Sequence, residues 1–263
     1  MATERDDDNK YNVKVVERCL SIFDLASETE SALTVQDVMN KLNLNSNMAY
    51  RLLTTMVTSG YLTKNEQNST YTLSLKVLKL FNRALSSIEI RKIALPYMEM
   101  LNHRFPNANI NLGVLYDNEV VQLDRIDSKV VPKTYFTPGK RIPFYASGLG
   151  KVLVSELYPE EIERMIDKLG GLKDLTVHTI VDYKELMSEL QKVREHGYAV
   201  DREELIIGDN CNAAPVRDSS GKIVAAVSMS AFDNYISKDE MDANIFAVCE
   251  TARQISYFLG FAP

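Results

Sequence analysis

The sequence predicts an α+β protein: a winged helix-turn-helix at the N-terminus, then an antiparallel sheet with helices on one side. Three observations predict it. Thr34 to Gly60, TVQDVMNKLNLNSNMAYRLLTTMVTSG, reads as two short amphipathic helices joined by a tight polar turn. Directly behind it, a polar run from Thr63 to Thr70 and the β-prone Tyr71-Thr72-Leu73 read as the loop and strand of a wing. Beyond Ile88 the apolar period changes to two. Ile110, Leu112, Val114 and Tyr116 alternate with other residues, Asp117-Asn118 turns the chain, and Glu119 to Ile126 returns it.

Taken in order, Met1 to Lys10 carries Asp6-Asp7-Asp8 and reads as a disordered tail. Val15 to Ala26 is a helix with Val16, Leu20 and Phe23 on one face. Thr34 caps the next helix with Asp37 in the reciprocal position. Val35, Val38, Met39 and Leu42 then recur at helical spacing, Asn43-Leu44-Asn45 reverses the chain, and Ser46 caps the second helix. At about 100° per residue, Met48, Ala49, Leu52, Leu53, Met56 and Val57 fill one half of that helix. Asn47, Tyr50, Arg51, Thr54, Thr55 and Thr58 fill the other. Ser74 to Ser87 is a connecting helix with Leu75, Leu78 and Phe81 on one side; its Lys76, Lys79 and Arg83 either help two chains pair or form a solvated face.

Ile90 to Phe105 is helical, with Pro96 in a first turn after a break. A third strand runs from Lys133 to Thr137, ended by Pro138-Gly139. Helices follow at Gly148 to Leu157, at Pro159 to Leu169 before Gly170-Gly171, and at Tyr183 to His196 between Asp182 and Gly197. Asn212 to Arg217 and Ile223 to Ser230 are strands around a turn at Asp218 to Gly221, and Lys238 to Leu259 is one final helix capped by Ser237. The expected divisions are a tail at 1–10, the winged helix at 11–74, the connecting helix at 75–88 and a C-terminal domain at 89–263.

The 263 residues suffice for one or two domains with a real core. No apolar run spans a membrane and no signal peptide is legible; three widely spaced cysteines suggest reduced thiols, so a cytoplasmic protein is expected. The net charge is −6, and Tyr11 to Ser74 holds five basic against six acidic residues. Yet the polar half of the second helix offers amide, hydroxyl and guanidinium groups with no carboxylate, the chemistry of a major-groove reading face. An ordinary solvated face would carry Glu and Lys. A module that is not basic overall binds DNA weakly alone, so several modules, hence an oligomer, are expected on one site.

Catalytic motifs are scarce. His103, His178 and His196 stand apart with no ligand pattern, so neither a metal nor a catalytic set is expected. Gly148-Leu149-Gly150-Lys151 glances at a phosphate loop, but Tyr145 stands at its first glycine and Val152 at its hydroxyl position. That helix start is either a small-anion site or a Ser147 cap with glycines for close packing. Glu160, Glu161 and Glu163 read as a charged helix face. Asp201, Cys211, Ser228 and Ser230 form a second cluster; Ser228 and Ser230 share one strand face, either lining a polar cavity floor or facing solvent.

With these residues in view, the chain resembles the isocitrate lyase regulator (IclR) family of bacterial transcription factors over nearly everything after the tail. SNMAYRLLTTMVTSGYL (Ser46 to Leu62), YASGLGKVLV (Tyr145 to Val154) and GYAVDREELIIGDNCNAAPVRD (Gly197 to Asp218) carry the likeness. Asn212 and Arg217 depart from the family signature, which has an aliphatic and an aromatic or His there. YTLSLKVLKL and VREHGYAVDREE are most similar to the branch regulating 2-keto-3-deoxygluconate and related sugar-acid pathways. The resemblance implies a winged helix, a linker helix and a GAF-like effector domain, assembled as a homodimer or homotetramer. It implies DNA contact by Thr34, Ser46, Asn47, Tyr50, Arg51 and Thr54. It implies effector contact by the backbone of Gly148 and Leu149, by Asp201, Cys211, Ser228 and Ser230, and by the apolar walls Thr134 and Ile142.

The expected function is that of a ligand-responsive, DNA-binding repressor of carbon-catabolism genes. Its expected partners are double-stranded operator DNA and a small carboxylate, a sugar acid or oxo acid; no cofactor and no membrane are expected. The rivals are a small-molecule hydrolase using Cys211 or Asp201 in the same cavity, and a sensor that binds only protein partners.

Overall fold

The structure is a computed structural model, and it describes residues 12–29, 31–130 and 138–262. The expected tail and the strand expected at Lys133 to Thr137, Thr134 included, lie outside the described residues. The chain divides into two compact units between Ser87 and Ile88. Among the described residues no helix is long and apolar enough to cross a membrane.

The first unit contains α1 (Lys14–Glu28), α2 (Val35–Leu42), α3 (Ser46–Thr58), β1 (Leu62–Asn65), β2 (Thr70–Leu73) and α4 (Lys76–Ser87). Thr34 and Asp37 form the expected capping box on α2: the Asp37 N–H donates to Thr34 Oγ1 (3.2 Å), and the Thr34 N–H to Asp37 Oδ2 (2.8 Å). Asn43 ends α2 in the left-handed region at φ 48°, which an asparagine tolerates. The cap of α3 is Asn45 rather than Ser46. Asn45 Oδ1 accepts from the Met48 N–H at 2.9 Å, and Ser46 is already the first helical residue.

The Thr63 to Thr70 stretch, expected as loop, is half strand. Leu62–Asn65 pairs antiparallel with Thr70–Leu73, and Tyr71 also bridges Leu33. A polar strand in a two-stranded wing has no alternation to announce it. The core gathers Ile22, Leu33, Val38, Ala49, Leu53, Met56 and Tyr71. On α1 the buried residues are Ile22 and Leu25, whereas Val16 and Leu20, read in the sequence as sharing one face, are 53% and 57% exposed. That helix has two apolar stripes, and periodicity alone does not say which one packs. Lys76 has specific partners: Nζ donates to the Ser59 carbonyl at 2.7 Å and lies 4.1 Å from the Tyr61 ring centre. A cation there also suits the negative end of α3.

The second unit opens with α5 (Glu89–Arg104), in which Pro96 sits mid-helix rather than in a first turn. Its missing N–H costs one internal hydrogen bond but does not end the helix. Among the described residues six antiparallel strands follow: β3 (Asn109–Tyr116), β4 (Glu119–Ile126), β5 (Arg141–Ile142), β6 (Ala199–Arg202), β7 (Asp209–Arg217) and β8 (Ile223–Phe232), in the order β5-β4-β3-β8-β7-β6. Asp117 and Asn118 make the expected turn with φ 50° and 58°. Strand β6 was not legible, because four residues reading AVDR carry no strand signature, and β7 starts at Asp209, ahead of the expected start at Asn212.

The remaining helices are α6 (Gly148–Val154), α7 (Pro159–Leu169), α8 (Tyr183–His196), α9 (Lys238–Ala243) and α10 (Ile245–Phe258). The single final helix expected at Lys238 to Leu259 is broken at Asn244, whose side-chain amide donates to the Glu240 carbonyl at 2.6 Å. An asparagine that competes for backbone partners favours such a break. Helices also cover both faces of the sheet, not one. Cys211 and Ala213 on β7 lie under α6, while Asn212 points the other way and donates to the Met241 carbonyl of α9 at 2.5 Å.

The α6 backbone lies so close to the preceding turn that a Cβ on Gly150 would come within 2.4 Å of the Phe144 backbone. Gly150→Ala therefore cannot be absorbed by a flexible side chain. It is expected to destabilise the C-terminal unit by about 2 kcal/mol or more, read as a lower melting temperature by circular dichroism.

Candidate functional site

Two sites stand out, one in each unit. On α3, Ala49, Leu52, Leu53 and Met56 are buried, whereas Asn47, Tyr50, Arg51, Thr54, Thr55 and Thr58 are all exposed. Ser46 is exposed at the helix start, and Thr34, half-buried, is held by Asp37 at the start of α2. The exposed half of α3 carries one cation and no carboxylate, so nothing on it repels a phosphate backbone.

In the second unit, Ile142, Gly148, Leu149, Asp201, Cys211, Ser228 and Ser230 line one cavity of about 40 Å³ under α6. These are seven of the eight residues singled out in the sequence; the eighth, Thr134, lies outside the described residues. The strand register brings them together. Asp201 on β6 is level with Cys211 on β7, and Cys211 with Ser230 on β8. The period-two pleat points Ser228 and Ser230 to the same side.

The cavity floor is hydrogen-bonded across four strands. Gln122 Nε2 donates to Asn111 Oδ1 at 3.1 Å, Asn111 Nδ2 donates to Ser228 Oγ at 3.2 Å, and Ser228 bonds the Cys211 thiol. Asn111, Gln122, Arg125, Asp209 and Leu205 belong to the lining and were not singled out in the sequence. The strand phase of Asn111 was legible. That α6 roofs its side of the sheet was not. Arg125, ion-paired to Asp127 at 2.6 Å, supplies a nearly buried cation to the lining.

At the helix start, Ser147 Oγ accepts from the Gly150 N–H at 3.1 Å, and Gly148 and Leu149 border the cavity. A Cβ on Gly148 would lie 3.2 Å from both Cys211 Sγ and Ala213 Cβ. The glycines therefore serve close packing as well as access. Lys151 is fully buried, with Nζ 2.6 Å from both Glu204 Oε1 and the Val200 carbonyl. It is spent on that ion pair and is not placed as a phosphate-loop lysine.

Two acids of this region, Asp201 and Asp209, are shifted up toward neutrality. Burial first, then the negative Glu204, pushes Asp201 up to about 8, although its Oδ1 accepts the Glu204 N–H at 2.8 Å. Burial pushes Asp209 up to about 7 against the pull of Arg125. Burial also raises the Cys211 thiol far above its ordinary range, so little thiolate forms. His103, His178 and His196 are exposed. Among the described residues no cluster of His, Cys, Asp and Glu could hold a metal ion.

A winged helix joined to a cavity-bearing antiparallel sheet is the architecture of a ligand-binding transcriptional regulator. Residues 15–66 match the IclR helix-turn-helix domain, and residues 82–257 match the family described as bacterial transcriptional regulator IclR, C-terminal. The chain belongs to the IclR family of bacterial transcriptional regulators. It is 31% identical to the HTH-type transcriptional regulator XynR of Escherichia coli, over 87% of this chain and 90% of the relative. It is 29% identical to the HTH-type transcriptional repressor AllR of Escherichia coli, over 94% and 90%. It also superposes on a crystal structure of an IclR homologue complexed with 4-hydroxybenzoate from Microbacterium hydrocarbonoxydans, with a TM-score of 0.77, 24% identity and coverage of 93% and 98%. The family and these relatives are regulators, not enzymes, and the helix-turn-helix domain makes DNA the partner of the first unit.

Asp201 keeps its proton to about pH 8 in the folded chain, against an ordinary value of 3.8. The folded state binds more protons than the unfolded one between those values, so stability falls as pH rises through them. Asp201→Asn keeps an acceptor for the Glu204 N–H and removes the ionisation. Its melting temperature is expected to match the wild type near pH 4 and to exceed it by several degrees near pH 9, as a pH series of thermal melts will show.

Proposed function

We propose that this chain is a cytoplasmic repressor of carbon-catabolism genes. It works as a homodimer or homotetramer and releases or grips its operator in response to a small carboxylate, a sugar acid or oxo acid. The observation that carries the effector part is the meeting of seven residues singled out in the sequence around one cavity. The fully exposed, carboxylate-free half of α3 supports the DNA part.

On DNA, Asn47, Tyr50, Arg51 and Thr54 meet base edges and phosphates in the major groove. Ser46 and Thr34, at helix starts, meet phosphates. Because the unit has more acids than bases, one copy binds weakly and paired copies on a palindrome supply the affinity.

In the cavity, the effector carboxylate meets Arg125 and the first-turn N–H groups of Gly148 and Leu149, and its hydroxyl or keto oxygen meets Asp201, Cys211, Ser228 and Ser230. Ile142 is an apolar wall. An anion tolerates this acid-lined space because burial keeps Asp201 protonated near neutrality and takes part of the charge off Asp209. That the Microbacterium homologue is complexed with a carboxylate, and that AllR is named a repressor, supports the same reading. Control requires the effector to prefer one arrangement of the two units; a preference of about 2 kcal/mol gives about thirty-fold regulation.

Arg51→Ala is expected to weaken binding to the DNA upstream of the chain's own gene by about tenfold or more, measured by gel shift, with the ligand response intact. Unchanged affinity removes α3 from the interface. In a thermal-shift screen of metabolite carboxylates, ligands of the folded state raise the melting temperature. For such a ligand, calorimetric affinity is expected to fall as pH rises through about 7 and about 8, as Asp209 and Asp201 ionise beside the bound anion. Affinity that stays flat or rises removes the bound anion from the neighbourhood of that acid pair.

A further inference from the structure

Helix α10 has two unlike sides. Ala247, Val248, Thr251, Ala252 and Ile255 are buried in the unit's own core. The opposite side presents Phe246, Glu250, Arg253 and Tyr257, at i, i+4, i+7 and i+11, which is one straight stripe on an α-helix. Phe246 and Tyr257 are each 75% exposed. Between them, Arg253 pairs with Glu250 at 2.7 Å. Two large aromatic rings held in water at both ends of one helix face are an unpartnered surface.

The order of the stripe identifies the partner. It reads aromatic, acid, base, aromatic, and it is symmetric about the point between Thr251 and Ala252. Reversing the helix about that point brings Phe246 level with Tyr257 and Glu250 level with Arg253. We propose that this face of α10 docks a second copy of the chain, the two helices running antiparallel across a twofold axis. Each Phe246 then packs on the partner's Tyr257, and each Glu250 faces the partner's Arg253. Beside Tyr257 a surface notch of about 330 Å³, lined by Tyr97, Arg253, Gln254, Tyr257 and Phe261, seats the partner's Phe246 ring.

Such a surface is isologous, the kind a twofold dimer requires. An unrelated partner gives no reason for the stripe to mirror itself. The charges choose the direction: a parallel pairing sets Glu250 against Glu250 and Arg253 against Arg253, and like charges across an interface oppose binding. The aromatic ends supply the burial, and the ion pairs supply the register. This goes beyond the homo-oligomer proposed above by naming its contact.

Sedimentation velocity of the full chain tests it, with Glu250→Arg, Arg253→Glu and the double exchange. The wild type is expected to sediment above the 29.7 kDa of one chain. Each single reversal is expected to weaken association by about tenfold or more with the folded circular-dichroism spectrum kept. The double exchange, which restores opposite charges across the axis, is expected to restore association. Phe246→Ala, which breaks no internal ion pair, is expected to weaken association as well. A wild type that stays monomeric overturns both this interface and the proposed homo-oligomer. An oligomer indifferent to the single reversals and to Phe246→Ala, or one not rescued by the double exchange, overturns this interface alone.

Discussion

The close seating of α6 on the sheet is the constraint on which the C-terminal unit depends. Side chains are missing where the helix comes nearest to its surroundings. Gly150 lies against the Phe144 backbone, Gly148 lies over Cys211 and Ala213, and Gly113 of β3 lies under Leu149. Added methyl groups would lift the helix or bend the turn before it. With the helix down, the polar face of the sheet is covered, and Asn111, Ser228 and Cys211 become a cavity floor instead of a wet surface.

Lys151 ties the same helix to β6 and the loop after it. Its ammonium is fully buried, bonded to Glu204 and the Val200 carbonyl, and the Glu204 N–H in turn holds Asp201. A buried pair of this kind adds little net stability, because desolvation offsets most of the attraction, but losing one partner leaves a stranded charge. Its consequence lies in arrangement. The lysine answers the charge of Glu204, and Asp201, one step further along, is left to the effect of burial and stays protonated. The proton on Asp201 is therefore set by the packing of α6 as much as by the residue itself.

The DNA-binding unit rests on plainer physics. A small apolar core holds three helices and a two-stranded wing, and the outward half of α3 is left with amides, hydroxyls and one guanidinium. The Lys76 contact with the Ser59 carbonyl and the Tyr61 ring fixes the end of α3 to the start of α4. Helix position and connector are thus coupled at one residue.

Much of this was legible in the sequence. The reading face of α3 followed from helical period, because its two halves differ in composition and tertiary packing had only to bury the apolar one. The Asp117-Asn118 hairpin and the cap on α2 followed from turn and capping chemistry, which act within a few residues. The residues around the cavity followed from strand phase joined to a family likeness. Other features were decided by contacts between distant segments. These were which apolar stripe of α1 packs, that AVDR is a strand, that Pro96 stays inside a helix, and that Arg125 and Asp209 join the cavity. Local rules fix the conformation of a segment and the phase of its faces. Which face is covered, and what charge a buried acid keeps there, depends on neighbours brought together only by folding.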